Sequence, residues 1–283
     1  MPYRSLTGAF ALAATLTLSI SGAQAFDETK FPNWKGQWVQ LGGAQNPSWD
    51  PTRPPGAGQQ APLTPEYQAS LAASVKSEAE GGLGVDPTAR CVPPGMPRVM
   101  MAVQPIEIVV TPVATYVVFE QLGALRRIYT DGRKFPDDLE PSFTGYSVGR
   151  WQDTDGDGRF DTLLIETRGI KGPHTYDASG IPFHKDGEAI VTERLYAGKA
   201  DPNILHDEMT TIDHALTRPW TVDKRYVHNP NLRADWTEYY ITEANAQIVI
   251  GKENYFLSAE GFLMPAKKDQ APPDLRYFKQ TKK

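Results

Sequence analysis

The segment "IEIVVTPVATYVVFEQLGALRRIYTDGR" (Ile106–Arg133) decides the fold class, because β-branched and aromatic residues recur in it with a period of two. Runs of the same kind follow at short spacing, separated by turn residues: "YSVGRW", "DTLLIET", "AIVTERLY", "LHDEMTTID", "WTVDKRYV" and "EYYITEA". No long stretch of helical period lies between them. Strands that follow strands predict antiparallel neighbours, hence a mainly β chain with a single barrel or sandwich of lipocalin-like size.

The region before these strands lacks their repeated period of two. Trp38–Leu41 is predicted as a first strand, and the next stretch, "NPSWDPTRPPGAGQQAPLTP", is too rich in Pro and Gly for regular structure. Flanking tryptophans favour an ordered wrapping loop over a flexible linker. A helix is predicted from Pro65 to about Glu80, with Thr64 as its cap and with one apolar face, formed by Tyr67, Leu71 and Val75.

The N-terminus predicts export. Arg4 precedes an apolar run from Leu6 to Ile20, and Ala23-Gln24-Ala25 is a small-x-small cleavage pattern before Phe26. A membrane anchor is the alternative, but the run is shorter than the roughly 20 residues that span a bilayer. We expect a signal peptide at 1–25, a wrapping segment with one helix at 26–98, a β domain with a C-terminal tail at 99–283, and a periplasmic or secreted protein.

Composition excludes several partners. The formal net charge is −5, which argues against nucleic acid, and no second apolar stretch is long enough to span a membrane. Cys91 is the only cysteine, so an internal disulfide is excluded. The motifs of nucleotide-binding loops and of serine nucleophile elbows are absent, so no nucleotide cofactor is indicated.

The sharpest local motif is the acidic loop "DTDGDGRFD". It resembles the front of a helix–loop–helix calcium loop, in which alternate carboxylates converge and a glycine permits the turn. Leu164 replaces the expected bidentate Glu at position 12, and the flanks read as strands. We therefore predict a structural calcium site on a β-hairpin, completed by Glu166 or water; a solvated acidic turn is the alternative. The predicted metal residues are Asp153, Asp155, Asp157, Arg159 and Asp161.

The strands also carry many charged and aromatic side chains. These either form an outer face in water or line a barrel lumen, where Arg–carboxylate pairs would form an anion- or phenol-binding cavity. No pair or trio of histidines has the spacing of a zinc or iron motif, and His206, beside Asp207 and Glu208, is the best general-base candidate. The predicted catalytic residues are His206, Glu208, Arg127 and Tyr129. The predicted ligand-binding residues are Arg150, Trp151, Arg194, Tyr146, Trp220 and Tyr239.

Several motifs in a fixed order carry a resemblance: "CVPPGMPRVM", "RRIYTDGR", "GYSVGRW", "DTLLIET", "LTRPWTV" and "PPDLRYF". With them, the chain resembles, over residues 30–280, a large, mostly uncharacterised family of exported bacterial β-rich proteins. The resemblance implies a β-rich single domain but no reaction. The chain departs from the family pattern in its longer Asp-rich loop, and in having Ile241-Thr242-Glu243 where relatives often carry a cysteine near "EYY".

Three functions remain open at this point. The first is the binding of a small apolar or aromatic molecule in a β-barrel cavity, with aromatic walls and arginine anchors. The second is a cofactor-independent lyase, isomerase or hydrolase that acts on an aromatic compound, with His206 as base, Glu208 or Asp207 orienting it, and Arg127 and Tyr129 stabilising negative charge. The third is a structural envelope protein whose tryptophan-rich N-terminal segment is an exposed contact surface.

Overall fold

The computed structural model describes residues 26–41, 48–82, 84–90, 92–101, 103–231 and 236, together with the backbone of three strands nearer the C-terminus. The predicted barrel is confirmed: nine strands close in the order β1 to β9, and β10, β11 and β12 form a separate sheet. The strands are β1 Gln37–Gln40, β2 Ile106–Val110, β3 Ala114–Phe119, β4 Leu125–Tyr129, β5 Tyr146–Gln152, β6 Thr162–Arg168, β7 Ile190–Ala197, β8 Ile204–Ile212, β9 Trp220–His228, β10 Gln247–Ile250, β11 Glu253–Leu257 and β12 Leu263–Pro265.

One strand pair departs from the antiparallel expectation. β4 and β5 run parallel, with Ile128 opposite Ser147, while the other neighbouring pairs of the barrel are antiparallel. The cause is parity, because directions that alternate around a closed ring require an even number of strands. A ring of nine must contain a parallel pair, and a parallel pair needs a long connection. Residues 130–145 provide it by returning along the outside of the barrel.

The segment between β1 and β2 covers one end of the barrel. Trp49 is fully buried, and Leu63 forms a β-bridge with Leu216 in the β8–β9 turn. Helix α1 runs from Pro65 to Ala79, close to its predicted bounds. Single-turn 3₁₀ helices occupy Glu28–Lys30, Gly56–Gln59, Pro87–Arg90, Arg98–Met101 and Gln121–Gly123.

The helix differs from its prediction in two details. The Thr64 side chain makes no capping hydrogen bond, so the start of the helix depends on the proline that follows. Leu71 is buried, as expected. Val75, which was expected to be buried, is exposed, and the preceding residue Ser74 is buried in its place. The reason is a polar contact: Ser74 Oγ accepts a hydrogen bond from the Val85 backbone N–H at 3.0 Å, which turns that side of the helix toward the following loop.

Alternation along the strands separates an inner from an outer face. On β8, Leu205, Asp207, Met209 and Thr211 are buried, and the residues between them are half-buried. The inner face joins Trp38, Phe119 and other large side chains in one core cluster. The barrel interior is therefore occupied largely by the side chains of the protein itself.

Several predictions fall outside the described residues. These are the signal peptide at 1–25, Cys91, the run "EYYITEA" and most of the C-terminal tail. Within the part of the chain that is described, no helix has the length and apolarity needed to cross a bilayer.

Candidate functional site: the outer wall of strands β4 to β9

Strand register arranges the predicted site residues in rows across the outer wall. One row crosses β5 to β9 at Arg150, Leu164, Arg194, Glu208 and Asp223. The row on one side of it holds Val148, Glu166, Thr192, Thr210 and Thr221, and the row on the other side holds Gln152, Thr162, Tyr196, His206 and Arg225. Cross-strand neighbours in such rows lie about 5 Å apart. The sequence therefore brings His206, Glu208, Arg150 and Arg194 to one surface.

A hydrogen-bonded network connects these rows. Arg194 Nη1 lies 3.3 Å from Glu208 Oε2, and Tyr196 donates its phenol O–H to Glu208 Oε1 at 2.7 Å. The His206 ring stacks on Tyr196 with centroids 5.1 Å apart, and its Nδ1 lies 3.1 Å from an oxygen of Asp223. Partial burial and the Glu208 carboxylate raise the pKa of Tyr196 to about 12, so its phenol stays protonated at neutral pH.

The partner that orients His206 differs from the expectation. Asp223, not Asp207 or Glu208, contacts the imidazole, because Asp207 points to the barrel interior while Asp223 lies on the adjacent strand of the outer wall. Arg225 donates to the same Asp223 oxygen at 2.9 Å and holds that carboxylate in place.

The long β4–β5 connection builds one side of a groove on this wall. Arg133 places its guanidinium 3.9 Å from the ring centroid of Tyr129, and Tyr129 stacks on Tyr146 with centroids 4.9 Å apart. Phe135 packs on Tyr146 at 5.9 Å. The β4–β5 connection thus packs on Tyr129 and Tyr146, two aromatic side chains that the sequence analysis predicted as site residues. Arg127 lies beside them, exposed, with Nη1 3.4 Å from the Tyr129 hydroxyl.

The groove has a volume of about 650 Å³, within the range of small-molecule sites. Apolar Phe135, Val148 and Leu164 share its lining with Arg133, Arg150, Arg194, Glu166 and Glu208. Most of these charges are paired: Glu166 accepts from Arg168 at 2.6 Å, Glu208 from Arg194, and Asp131 from Arg133 at 2.5 Å. Arg150 is exposed and makes no ion pair with any described residue, so the groove offers one cation that is free to bind an anion.

The remaining predicted ligand residues lie elsewhere. Trp151 is on the inner side of β5 and contacts Trp34 at 5.0 Å between centroids. Trp220 is buried and packs on Tyr176 at 5.2 Å. Tyr239 lies outside the described residues. Trp220 thus belongs to the core, Trp151 packs against it, and neither tryptophan lines the groove.

A second polar cluster lies inside the barrel, and its centre is an ion pair. The Arg126 guanidinium binds both carboxylate oxygens of Glu193, with Nη1–Oε1 at 2.7 Å, and the two side chains are 1% and 0% exposed. Arg126 also donates to Thr167 Oγ1 at 2.9 Å, and Thr167 is hydrogen-bonded to Ser147 at 2.8 Å. Burial alone would lower the pKa of Arg126, but the Glu193 carboxylate raises it above its ordinary value. Both carboxylate oxygens of Glu193 and both Nη atoms of Arg126 therefore have hydrogen-bond partners.

Asp207 and Lys224 lie opposite each other in the interior, on β8 and β9. Lys224 Nζ donates to the Trp49 backbone carbonyl at 2.6 Å and lies 3.9 Å from the centre of the Trp49 ring. Burial lowers the pKa of Lys224 to about 7, against the opposing charge of Asp207. Burial, together with the Glu193 charge, raises the pKa of Asp207 well above its ordinary value. Neither carboxylate oxygen of Asp207 has a hydrogen-bond partner among the described atoms.

The sequence analysis named Asp207 only as a possible partner of His206, and it did not single out Arg126, Glu193 or Lys224. The signal that distinguishes them is their i±2 neighbours. Val191 and Leu195 flank Glu193, Leu205 and Met209 flank Asp207, and Val222 and Tyr226 flank Lys224. A charge between apolar residues of the same strand face lies on the buried face.

The acidic loop brings together part of its predicted ligand set. Carboxylate oxygens of Asp153, Asp155 and Asp161 lie within 4.8 Å of one another. Both oxygens of Asp153 accept backbone N–H groups, from Gly156 at 2.7 Å and Gly158 at 2.9 Å, as in an Asx-type turn. Asp157 accepts the Arg159 backbone N–H at 2.8 Å, and neither Asp157 nor Arg159 belongs to the converging set.

Glu166 does not complete the loop. It lies five residues along β6 from Asp161, about 16 Å away in an extended strand, and it pairs with Arg168. The flanking strands themselves are confirmed as β5 and β6. The calcium site stays a prediction, now limited to three carboxylates of an exposed turn.

One further convergence was not visible in the sequence. His184 and Asp186, from the β6–β7 connection, meet His214, from the β8–β9 turn, with their ligand atoms within 4.8 Å of one another. The spacing of 28 residues between Asp186 and His214 gives no motif, since the barrel end and not one element brings them together.

No protein-family model matches this chain, and no curated protein matches it in sequence. The functional argument therefore depends on the site itself.

Proposed function

We propose that this protein is exported and binds a small aromatic compound carrying an anionic group, in the groove on the outer wall of β4 to β9. The observation that carries the proposal is Arg150, an arginine that forms no ion pair with any residue the structure describes, in a groove lined otherwise by apolar side chains, threonines and paired charges. An arginine that faces a carboxylate forms a two-fold hydrogen bond, which supplies both energy and orientation.

The groove supports this ligand class better than the barrel interior does. Large apolar side chains and buried, paired charges occupy the inner face, whereas the groove is open and has the volume of a small-molecule site. Phe135 and Leu164 offer apolar contact for a ring, and Arg150 provides the positive charge for the anionic group.

The test compares two probes that differ in charge. Benzoate and benzyl alcohol are titrated against the purified protein by saturation-transfer NMR. We expect benzoate to bind more tightly, and Arg150→Met to weaken benzoate about 10-fold or more, because a hydrogen bond to a charged group contributes roughly 1.5–3 kcal/mol. Arg218→Met, at an exposed arginine of the β8–β9 turn, is the matched control and should leave binding unchanged.

Equal binding of both probes, or benzoate binding indifferent to Arg150→Met, would refute the proposal. Native mass spectrometry of protein purified from its own host is the complementary measurement. A retained organic adduct that is lost in Arg150→Met would identify the natural ligand. An adduct that persists in the variant would place the ligand elsewhere.

A second candidate function, a cofactor-independent enzyme, is favoured by one observation. His206 Nδ1 faces Asp223, while no hydrogen bond among the described residues involves its Nε2, so that nitrogen can accept a proton. His206 lies two residues along β8 from Glu208, about 7 Å from the groove's charged row. Product formation from a co-purified ligand, abolished in His206→Ala with binding retained, would establish this function; an unchanged ligand would exclude it.

A further inference from the structure

We propose that His184, Asp186 and His214 bind a divalent transition-metal ion of the zinc class at the end of the barrel that the wrapping segment closes. This inference goes beyond the proposed function, since these residues lie in the β6–β7 and β8–β9 connections and none of them lines the groove. Two imidazole nitrogens and one carboxylate oxygen are a donor set that suits zinc and its neighbours in the first transition row.

The three donor atoms already converge. Asp186 Oδ2 lies 2.8 Å from His184 Nδ1 and 2.5 Å from His214 Nδ1. The two imidazole rings meet nearly at right angles, with centroids 5.6 Å apart. Ligands about 2.0–2.2 Å from a common ion lie roughly 3 Å from one another. A small movement of the exposed His214 side chain is therefore enough to admit an ion between them.

The surrounding residues hold this arrangement in place. The His184 backbone N–H donates to the Asp213 carboxylate at 3.2 Å, and Tyr67 of α1 packs on the His184 ring with centroids 5.4 Å apart. Asp186 Oδ1 accepts the Glu188 backbone N–H at 3.0 Å, which leaves Oδ2 directed at the histidines. A metal site needs such outer contacts to orient its ligands, and these residues provide them.

The contact between His184 and Asp186 shows how closely the donor atoms approach one another. His184 Nδ1 lies 2.8 Å from Asp186 Oδ2, and the Asp186 backbone N–H donates to the same nitrogen at 3.2 Å. A single proton can bridge only two of the three donor atoms at a time, whereas a metal ion can bind all three.

The donor set also separates this site from calcium, which prefers oxygen ligands throughout. Glu188, whose carboxylate lies 4.0 Å from His214 Nδ1, stands where it can supply a fourth ligand. All three proposed ligands are at least partly accessible to solvent, so an ion can enter without unfolding the connections.

The experiment is a zinc titration of the full-length protein, purified without a histidine tag and stripped with EDTA, followed by calorimetry at pH 7.5. Cobalt substitution, read as visible absorption, reports nitrogen and oxygen ligation directly. We expect one ion per chain, a raised unfolding temperature with zinc, and an affinity lowered at least about 100-fold in His184→Ala and in His214→Ala, beyond the loss typical of outer contacts.

Two controls make the outcome decisive. His206→Ala removes a histidine from a separate His–carboxylate contact, with Asp223, and should leave zinc affinity unchanged. Asp155→Asn tests uptake by the acidic loop and should also have no effect. Circular dichroism verifies that each variant is folded. The proposal is overturned if zinc does not bind, or if binding survives both His184→Ala and His214→Ala, or if it is lost only in Asp155→Asn.

Discussion

The inner and outer faces of β7, β8 and β9 carry similar charges in opposite surroundings. Glu193, Asp207 and Lys224 point inward, and their immediate neighbours along the chain, Arg194, Glu208 and Asp223, point outward. The Arg126–Glu193 pair is almost fully buried, whereas the Arg194–Glu208 pair is 43% and 39% exposed. The comparison shows that position relative to the barrel wall, and not residue type, decides whether a charge serves stability or is available to a ligand.

Breaking the inner ion pair is expected to have the largest effect. Glu193→Gln removes the carboxylate that binds both Nη atoms of the buried Arg126 guanidinium, which costs roughly 3–5 kcal/mol of unfolding free energy. Urea denaturation, followed by tryptophan fluorescence, measures the change. The double variant Arg126→Met with Glu193→Leu removes both charges and should recover most of the loss. A Glu193→Gln protein as stable as the wild type would contradict the assignment of this pair to the barrel interior.

The buried lysine of the inner face, Lys224, is expected to make the stability of the protein depend on pH. Its pKa is about 7 in the folded protein, mainly because of burial, and near 10.5 when unfolded. Between these values the unfolded chain binds more protons, so this residue's contribution to stability rises with pH. Lys224→Met removes this pH dependence. Because the wild type gains stability with rising pH and the variant does not, the variant's unfolding free energy relative to wild type should fall by up to about 1.4 kcal/mol per pH unit from pH 7 to pH 9.

Denaturation curves at pH 7, 8 and 9 provide the measurement for this lysine. Arg225→Met, at the next residue, which lies on the outer face, is the matched control. Its unfolding free energy should differ from that of the wild type by the same amount at all three pH values. Parallel pH profiles for Lys224→Met and the wild type would show that the ammonium is not buried as described.

The smallest effect is expected at the outer ion pair. Glu208→Gln leaves Arg194 in contact with water and stacked on Tyr196 at 4.2 Å, so the cost is about 0–1 kcal/mol in the same urea experiment. The loss should shrink further at high salt, because exposed charges are screened. A loss as large as that of Glu193→Gln would remove the distinction between the two faces.

Much of the fold was predictable from local pattern. The period of two predicted the strands of a barrel, and proline at the first helical position predicted α1 within one residue of its end. The parallel β4–β5 pair was not predictable in this way, because it follows from the total number of strands around the ring and not from any residue in 130–145. That connection in turn supplies Arg133 and Phe135 to the groove.

The candidate site was predictable only in part, since both strand faces carry charge. Arg150, Arg194, Glu208 and His206 do share a surface, but Trp151 and Trp220 were grouped with them although they face the core. The His184–His214 contact joins two connections at the barrel end, so no spacing along the chain encodes it. Residues that meet through tertiary structure alone leave no periodic signal.

The seam between β1 and β9 determines how the barrel responds to force. β1 has four residues, and Trp38 pairs with His228 near the point where Asn229 donates to the Gln37 carbonyl at 2.8 Å. The chain thus enters β1 and leaves β9 at the same rim, side by side. Tension applied through these two flanking segments would break the hydrogen bonds of the seam one at a time, as in unzipping, and not all together in shear. Under tension applied in this way, the barrel therefore opens at the seam where its chain closes the ring.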